Sequence, residues 1–363
     1  MKIGIITYHR SHNYGALLQG IALRSVLEHL GHQVTFIDYW PSYHKRMYQL
    51  FSLTRLVKVG SYKYKIQYIR DCLFYLRQRK RRKEAFERFI ETYICPYISE
   101  MDEQYDVVIH GSDQIWRKQP ETNTYNPVYF GNHTIPTKLR ISYAASMGTL
   151  PTQQSDFPIV KDLLSNLDGI SVREQQLLEF VRSFGYQTAR LDLDPTLLMD
   201  ANQWIKMFNL RKRPSNERYA VYYKIQNSFD VGTIENYARS KGMKLKVLYS
   251  KAISKDSDTH ISIADPRDFL DLIYNADYVF TSSFHGLAFS LIFQKPFLAS
   301  FTHNSERAAS LLASLGLSDH FVTPNSELPT VISEINYKEI YKIIEKMKEN
   351  SMTYLMNIPN WGG

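Results

Sequence analysis

The order of apolar runs predicts an α/β protein made of two doubly wound halves with a cleft between them. Three observations carry this. The chain has 363 residues, more than the roughly 250 to 300 at which a single apolar core stops growing. Strand-like and helix-like runs alternate from Ile3 to Ala145, and the alternation starts afresh at Tyr219. Between them Asn209–Arg218 clusters Arg, Lys, Pro, Ser and Asn, the composition of a linker.

The first half, residues 1–208, opens with an apolar strand over Ile3–Thr7, a polar loop over Tyr8–Tyr14 and a helix over Gly15–Leu30. Leu17, Leu18, Ile21, Ala22, Val26 and Leu30 share one face of that helix, and Gly31 supplies its stop. Gln33–Tyr39 completes a βαβ opening. Residues 41–100 interrupt the rhythm with long, basic, Tyr-rich helical patterns and read as an insertion. Asp106–His110 restores a buried strand. Ile141–Ala145, Gly169–Val172 and Ala189–Leu193 are further strands, with a helix over Glu174–Phe184.

The second half, residues 219–335, reads as strand Tyr219–Lys224, helix Val231–Ser240, strand Leu245–Tyr249, helix Pro266–Tyr274, strand Tyr278–Thr281, a helix from Gly286, and strand Pro296–Ser300. A helix over Tyr337–Met356 lies in a terminal segment, residues 336–363, and is expected to pack back across both halves.

Composition narrows the function classes. Hydrophobic residues at 44% and charged residues at 22% belong to a folded chain and argue against bulk disorder. Two cysteines, Cys72 and Cys95, make no disulfide framework and no metal-ligand spacing, which fits a reducing compartment. No basic-then-apolar leader and no apolar run of membrane-span length is visible, so the expectation is a cytoplasmic protein. The 26 tyrosines suit sugar-stacking surfaces and equally suit ordinary cores.

In open α/β sheets ligands bind beyond the carboxyl ends of strands, which singles out four segments. Tyr8–Gly15 leads into a helix N-terminus, where free N–H groups suit an anion or a sugar hydroxyl; alternatively Asn13 is simply the helix cap. His110–Trp116 places Ser112, Asp113 and Trp116 in a tight turn, where Asp113 can orient or deprotonate a hydroxyl, or can merely stabilise the turn. Ser171–Glu174 delivers Arg173, whose planar fork fits carboxylate or phosphate; the alternative is a structural ion pair with Glu174 or Asp194. Thr281–Ser290 sets Ser282, Ser283, His285 and Gly286 where a new helix begins, an anion pocket beside a titratable group, or else a buried capping histidine. Neither GxGxxG after a strand nor GxxxxGK[ST] occurs, which argues against NAD and P-loop chemistry.

These same residues carry a family resemblance. Asn13–Gln19, Gly111–Trp116, Ser142–Gly148, Ser171–Glu174, Asp194–Leu198 and Ser282–Gly286, in order over about Ile3 to Leu317, resemble the polysaccharide pyruvyltransferase family. The resemblance implies a GT-B-like fold of two Rossmann-like domains. It also implies transfer of the enolpyruvyl carbon of phosphoenolpyruvate to two hydroxyls of one sugar as a cyclic ketal, with no metal or organic cofactor. By family position Arg173 binds the donor, and His285 is the histidine of an Arg-x-His element. The Arg of that element is Ser283 here, and Arg307 is positioned to supply the charge from a neighbouring loop.

The resulting assignment makes His285 and Asp113 catalytic. Arg173, Arg307, Ser282, Ser283 and Gly286 hold the donor; Asn13, Tyr14, Gly15, Ser112 and Trp116 hold the acceptor. The first domain is then the acceptor side and the second the donor side. A GT-B glycosyltransferase using a nucleotide sugar is the nearest rival; a non-catalytic nucleic-acid binder is the more distant one, because the basic run lacks a nucleic-acid module.

The net charge of +8 is concentrated in Arg77–Lys83, with Lys58, Lys63, Lys65 and Arg70 upstream. That stretch is either a solvated helix face or a peripheral contact with anionic membrane at the inner face, where each cation contributes about 1 kcal/mol. A lipid-diphosphate-linked sugar acceptor would fit the second.

Overall fold

The computed structural model describes residues 1–50, 61–119, 122–214, 217–329 and 332–358. Its frame is a pair of five-stranded parallel sheets with the same winding. In the first, β1 (Lys2–Ile6), β2 (Gln33–Ile37), β3 (Ile98–Ser99), β4 (Tyr105–Gly111) and β5 (Thr137–Tyr143) lie in the order β3-β2-β1-β4-β5. A short pair, β6 (Ser171–Val172) with β7 (Arg190–Leu191), follows; bridges from Ile141 to Gly169 and from Ala145 to Val172 run it alongside β5. In the second sheet β8 (Tyr219–Lys224), β9 (Lys244–Tyr249), β10 (His260–Ile261), β11 (Tyr278–Thr281) and β12 (Phe297–Ala299) take the order β10-β9-β8-β11-β12. This is the α/β, two-domain, Rossmann-like architecture that the sequence predicts.

Strand positions follow from burial. Val107, Val108 and Ile109 of β4, and Val279 and Phe280 of β11, are fully covered, as expected for central parallel strands packed on both faces. The expected strands at Ile141–Ala145, Gly169–Val172 and Ala189–Leu193 are each displaced or shortened by one to four residues. Three helices, Asp156–Leu164, Ala201–Phe208 and Glu306–Ser314, lie outside the sequence reading, and so do two strands. The insertion does not end as helix; it ends in β3, which closes the edge of the first sheet against β2. The second is β10, which edges the other sheet.

The two halves are not separated by an open cleft along their whole contact. One apolar cluster runs through both, from Leu17, Leu18 and Phe86 to Phe269, Leu287 and Phe289. At its centre Tyr14 stacks between Phe86 of the insertion, centroids 5.2 Å apart, and Phe269 of the second half at 4.9 Å. The C-terminal helix, Tyr337–Met356, crosses the same seam: the Tyr341 hydroxyl donates to the Ile292 carbonyl, and the Tyr354 hydroxyl to that of Ser142.

The basic run also turns out to be partly structural. Within the helix Leu76–Tyr93, Arg82 is buried, and its Nη1 donates to the Ser262 carbonyl at 2.6 Å and the Tyr14 hydroxyl at 3.0 Å. Lys80 and Lys83 pair along the helix with Glu84 and Glu87. Lys58 lies outside the described residues, as do Ser215 and Asn216 of the linker. No helix among the described residues is long and apolar enough to cross a membrane.

Arg82→Met keeps the stem but leaves the Ser262 carbonyl and the Tyr14 hydroxyl without their donor. It is expected to lower stability by about 1–3 kcal/mol. Thermal unfolding measured beside an Arg81→Met control, at an exposed neighbour, checks this: equal midpoints for the two variants would refute the seam role of Arg82.

Candidate active site

In each sheet the strand order reverses beside the first strand, so the carboxyl ends of β1 and β4, and of β8 and β11, flank a switch point. The loops after β1, β4, β6 and β11 converge across the seam.

Arg173, just past β6, is held by its N–H on the Ala145 carbonyl. Its Nη1 pairs with Asp194 Oδ2 and lies 3.4 Å from Ser112 Oγ, while Nη2 is 3.9 Å from Asp113 Oδ1. Asp194 caps the short turn Pro195–Leu198, its Oδ1 accepting from the backbone N–H and hydroxyl of Thr196 at 2.9 and 2.7 Å. Oδ2 of the same carboxylate is 3.5 Å from His285 Nε2. Asp194 therefore joins a cation of the first half to the histidine of the second. Burial would raise its pKa, but Arg173, His285 and Thr196 together hold it well below the ordinary carboxylate range.

His285 lies in the first turn of the helix Phe284–Ile292, and its ring packs against Gly15. A Cβ at residue 15 would sit 1.9 Å from His285 Nδ1. Gly286 makes a second close approach, since a Cβ there would meet Thr281 Oγ1 at 2.1 Å. Gly15 thus lets the helix seat tightly where the halves meet, and Gly286 lets it seat against β11 within the second half.

Two buried groups complete the cluster. Glu174 Oε1 accepts from the Ser146 hydroxyl and lies 3.6 Å from Arg307 Nε; burial raises its pKa against the opposing pull of Arg173 and Arg307. Arg307, in the first turn of the helix Glu306–Ser314, is pushed down to about 10 by burial and by its neighbour Arg173. The guanidiniums of Arg173 and Arg307 both lie over a single ring, that of Phe284, at 5.2 and 5.3 Å from its centroid. Arg173 Nε and Nη2, Arg307 Nε and Nη1, His285 Nε2 and Glu174 Oε2 are all buried without a hydrogen-bond partner within the protein. Such a set costs stability unless it faces a ligand or water.

The structure brings together Arg173, Asp113, Ser112, His285, Gly15, Gly286 and Arg307. Arg173 unites both sequence readings, being in an ion pair with Asp194 and still directing free N–H groups at the site. Asp113 has φ 63 and accepts from the Gln114 N–H at 2.8 Å. Ser112 is buried, with its N–H on Gln19 Oε1.

Four of the assigned residues are engaged in contacts of the fold itself. Trp116 is fully buried, stacks on Phe130 and donates its indole N–H to the Tyr129 carbonyl, so it offers no acceptor face. Tyr14 is a seam residue whose hydroxyl donates to the Ala264 carbonyl. Ser282 Oγ is taken by the N–H groups of Ile225 and Gln226. Ser283 is the N-cap of its helix, accepting from the Gly286 N–H. Asn13, too, caps a helix through the Ala16 N–H, though it stays exposed.

Sequence reasoning passed over Glu174 and Asp194 as site groups, and Gln19, whose amide ties Thr7 to Ser112. It also missed an aromatic hollow beyond β1 and β2, lined by Tyr8, His9, Arg10, Trp40, His44 and Tyr48. There Arg10 forks onto Asp38 with both contacts at 2.7 Å and lies over the Trp40 ring. The clustering of Tyr, Trp and His over residues 39–48 was the available signal. Among the described residues no group of three or more His, Cys, Asp or Glu side chains is arranged to hold a metal ion.

A family model described as polysaccharide pyruvyl transferase matches residues 13–305. No curated protein matches the chain significantly in sequence. Similar solved structures include UDP-GlcNAc 2-epimerase from Methanocaldococcus jannaschii, with TM-score 0.45 and 11% identity over 96% of this chain and 93% of that one. UDP-GlcNAc 2-epimerase from Neisseria meningitidis, bound to UDP-GlcNAc, gives TM-score 0.44 and 11% identity over 100% and 96%. The glycosyltransferase SnogD from Streptomyces nogalater gives 0.38 and 10% over 97% and 95%.

Two expectations follow from the geometry. Asp194→Asn leaves Arg173 buried without its counter-charge and is expected to cost about 3–5 kcal/mol at neutral pH. Because the folded-state pKa of Asp194 lies below its ordinary 3.8, the carboxylate stabilises the fold fully above that value and progressively less as pH falls through the folded-state pKa. Unfolding midpoints of wild type and variant should therefore differ by a constant amount near neutrality and converge in acid; a gap that widened in acid would contradict the pairing. Gly15→Ala is expected to displace the His285 ring, seen as a shift of its imidazole NMR resonances, while far-UV circular dichroism stays unchanged.

Proposed function

The chain belongs to the polysaccharide pyruvyl transferase family, and from that premise we propose that it transfers pyruvate from phosphoenolpyruvate, as a cyclic ketal, to two hydroxyls of a sugar in a surface-polysaccharide precursor. The observation that carries this reading is the pair of buried guanidiniums on Phe284, with unpartnered N–H groups beside His285. Phosphoenolpyruvate presents a phosphate and a carboxylate on three carbons. Two planar forks and a helix N-terminus supply matching donors at two points.

In this reading Arg307 and the free edge of Arg173 bind the two anionic groups, and the N-terminus of the helix Phe284–Ile292 faces the phosphate. Protonation of the methylene carbon leaves an electron-poor C2. One sugar hydroxyl attacks it, the C2–O bond to phosphate breaks, and the second hydroxyl closes the ketal. Of the two hydroxyl protons, one balances the proton delivered to carbon and the other leaves with phosphate. His285, oriented by Asp194, is the proton donor or phosphate clamp. Glu174 is a second proton carrier, since a buried carboxyl with a raised pKa is suited to acid catalysis. Asp113 takes the acceptor proton.

Ligand-induced thermal stabilisation tests this. Phosphoenolpyruvate is expected to stabilise the wild type by about 2.7 kcal/mol at one hundred times its dissociation constant. Arg307→Ala should lose the effect without losing the fold, and His285→Ala should slow phosphate release roughly 100-fold or more. Stabilisation by a UDP- or GDP-sugar alone would move the chain to nucleotide-sugar chemistry.

A further inference from the structure

Beyond the reaction, and without resting on it, the helix Tyr62–Phe74 carries a surface that the described residues leave exposed. Tyr62, Ile66, Ile69 and Leu73 are 78%, 51%, 41% and 68% exposed. Their spacing of i, i+4, i+7 and i+11 puts them within about 60° of arc on an α-helix. Phe74 and Leu76, 64% and 41% exposed, extend the apolar area to the start of the next helix. A soluble protein scatters single apolar side chains over its surface; it seldom leaves a contiguous stripe of this kind in water.

Charge says what the stripe faces. At 100° per residue Lys63 and Arg70 border it on one side and Lys65 on the other. Residues 61–83 hold nine Lys and Arg against one Asp, so this stretch alone carries as much formal charge as the +8 of the whole chain. Apolar side chains flanked on both sides by long cations match a bilayer interface, where apolar groups enter the acyl boundary and ammonium and guanidinium groups stay with the headgroups. The same flanking cations repel a second copy of the stripe.

We propose that the helix Tyr62–Phe74 docks the protein on an anionic lipid surface, with Tyr62, Ile66, Ile69 and Leu73 inserted and Lys63, Lys65 and Arg70 at the headgroups. The neighbouring helix Leu76–Tyr93 presents Arg77, Lys80 and Arg81 alongside, while its Arg82 and Phe86 hold Tyr14 at the seam.

The test is co-sedimentation of the full chain with vesicles of phosphatidylcholine, alone or mixed with phosphatidylglycerol, at low and high salt. Binding is expected with the mixed vesicles at low salt and is expected to weaken as salt rises. The exposed double variant Ile69→Ser/Leu73→Ser should reduce the bound fraction roughly tenfold, with an unchanged thermal midpoint, and Lys63→Gln/Lys65→Gln should weaken binding chiefly at low salt. Wild type remaining in the supernatant with mixed vesicles at low salt overturns the proposal, as does undiminished binding by the Ser variant. A wild-type dimer that the Ser variant dissociates, without lipid binding by either, would assign the stripe to a second copy instead.

Discussion

The carboxylate of Asp194 is the constraint on which the site depends. It is fully buried, and an ion in that setting is tolerated only when opposite charge and hydrogen bonds surround it. Arg173 and Thr196 come from the first half and His285 from the second. The halves must therefore meet in one register for the carboxylate to be satisfied. That requirement explains why Gly15 is where it is: the helix Tyr14–His29 has to pass close enough to His285 that no side chain fits between.

Apolar packing fixes the same register from a second direction. The Phe86–Tyr14–Phe269 stack links the insertion, the first helix and the second sheet's helix Pro266–Asn275. Arg82 anchors to both halves around it. A pair of Rossmann-like units joined only by a linker would be free to hinge. Here the shared core, the C-terminal helix crossing the seam and the buried ion network act together to tie the two halves around the polar cluster.

Most of the frame was legible because parallel strands and amphipathic helices write strong periodicities; Tyr219–Lys224, Val231–Ser240 and Tyr278–Thr281 stand where the pattern put them. β3 and β10 were not legible, since two-residue strands at a sheet edge carry no period of their own. The site was half legible. Residue type and loop position pointed to Arg173, Asp113 and His285. They pointed equally to Trp116, Ser282 and Tyr14, because a polar or aromatic residue beside a strand end looks the same whether it faces the site or ties the loop down. Only packing separates the two. Glu174 and Asp194 read from sequence only as ion-pair partners of Arg173, because such a pair looks like a surface pair until its burial is known.

Ser283 shows how a change of residue alters the way charge reaches such a site. At an N-cap position serine satisfies an orphan N–H and adds about 1 kcal/mol of helix stability, whereas a cation there opposes the helix dipole. With Ser283 as cap, the helix end keeps its partial positive charge, and the guanidinium nearest to Arg173 on Phe284 is that of Arg307. Arg307 comes from the next helix and, like Arg173, lies over the ring of Phe284. Phe284 is well suited to this, because its ring faces attract cations and it requires no polar partner of its own. Two like charges held near one ring repel, and the lowered pKa of Arg307 records that cost along with its burial. Under the proposed reading, the repulsion between Arg173 and Arg307 is what a doubly anionic donor would relieve on binding.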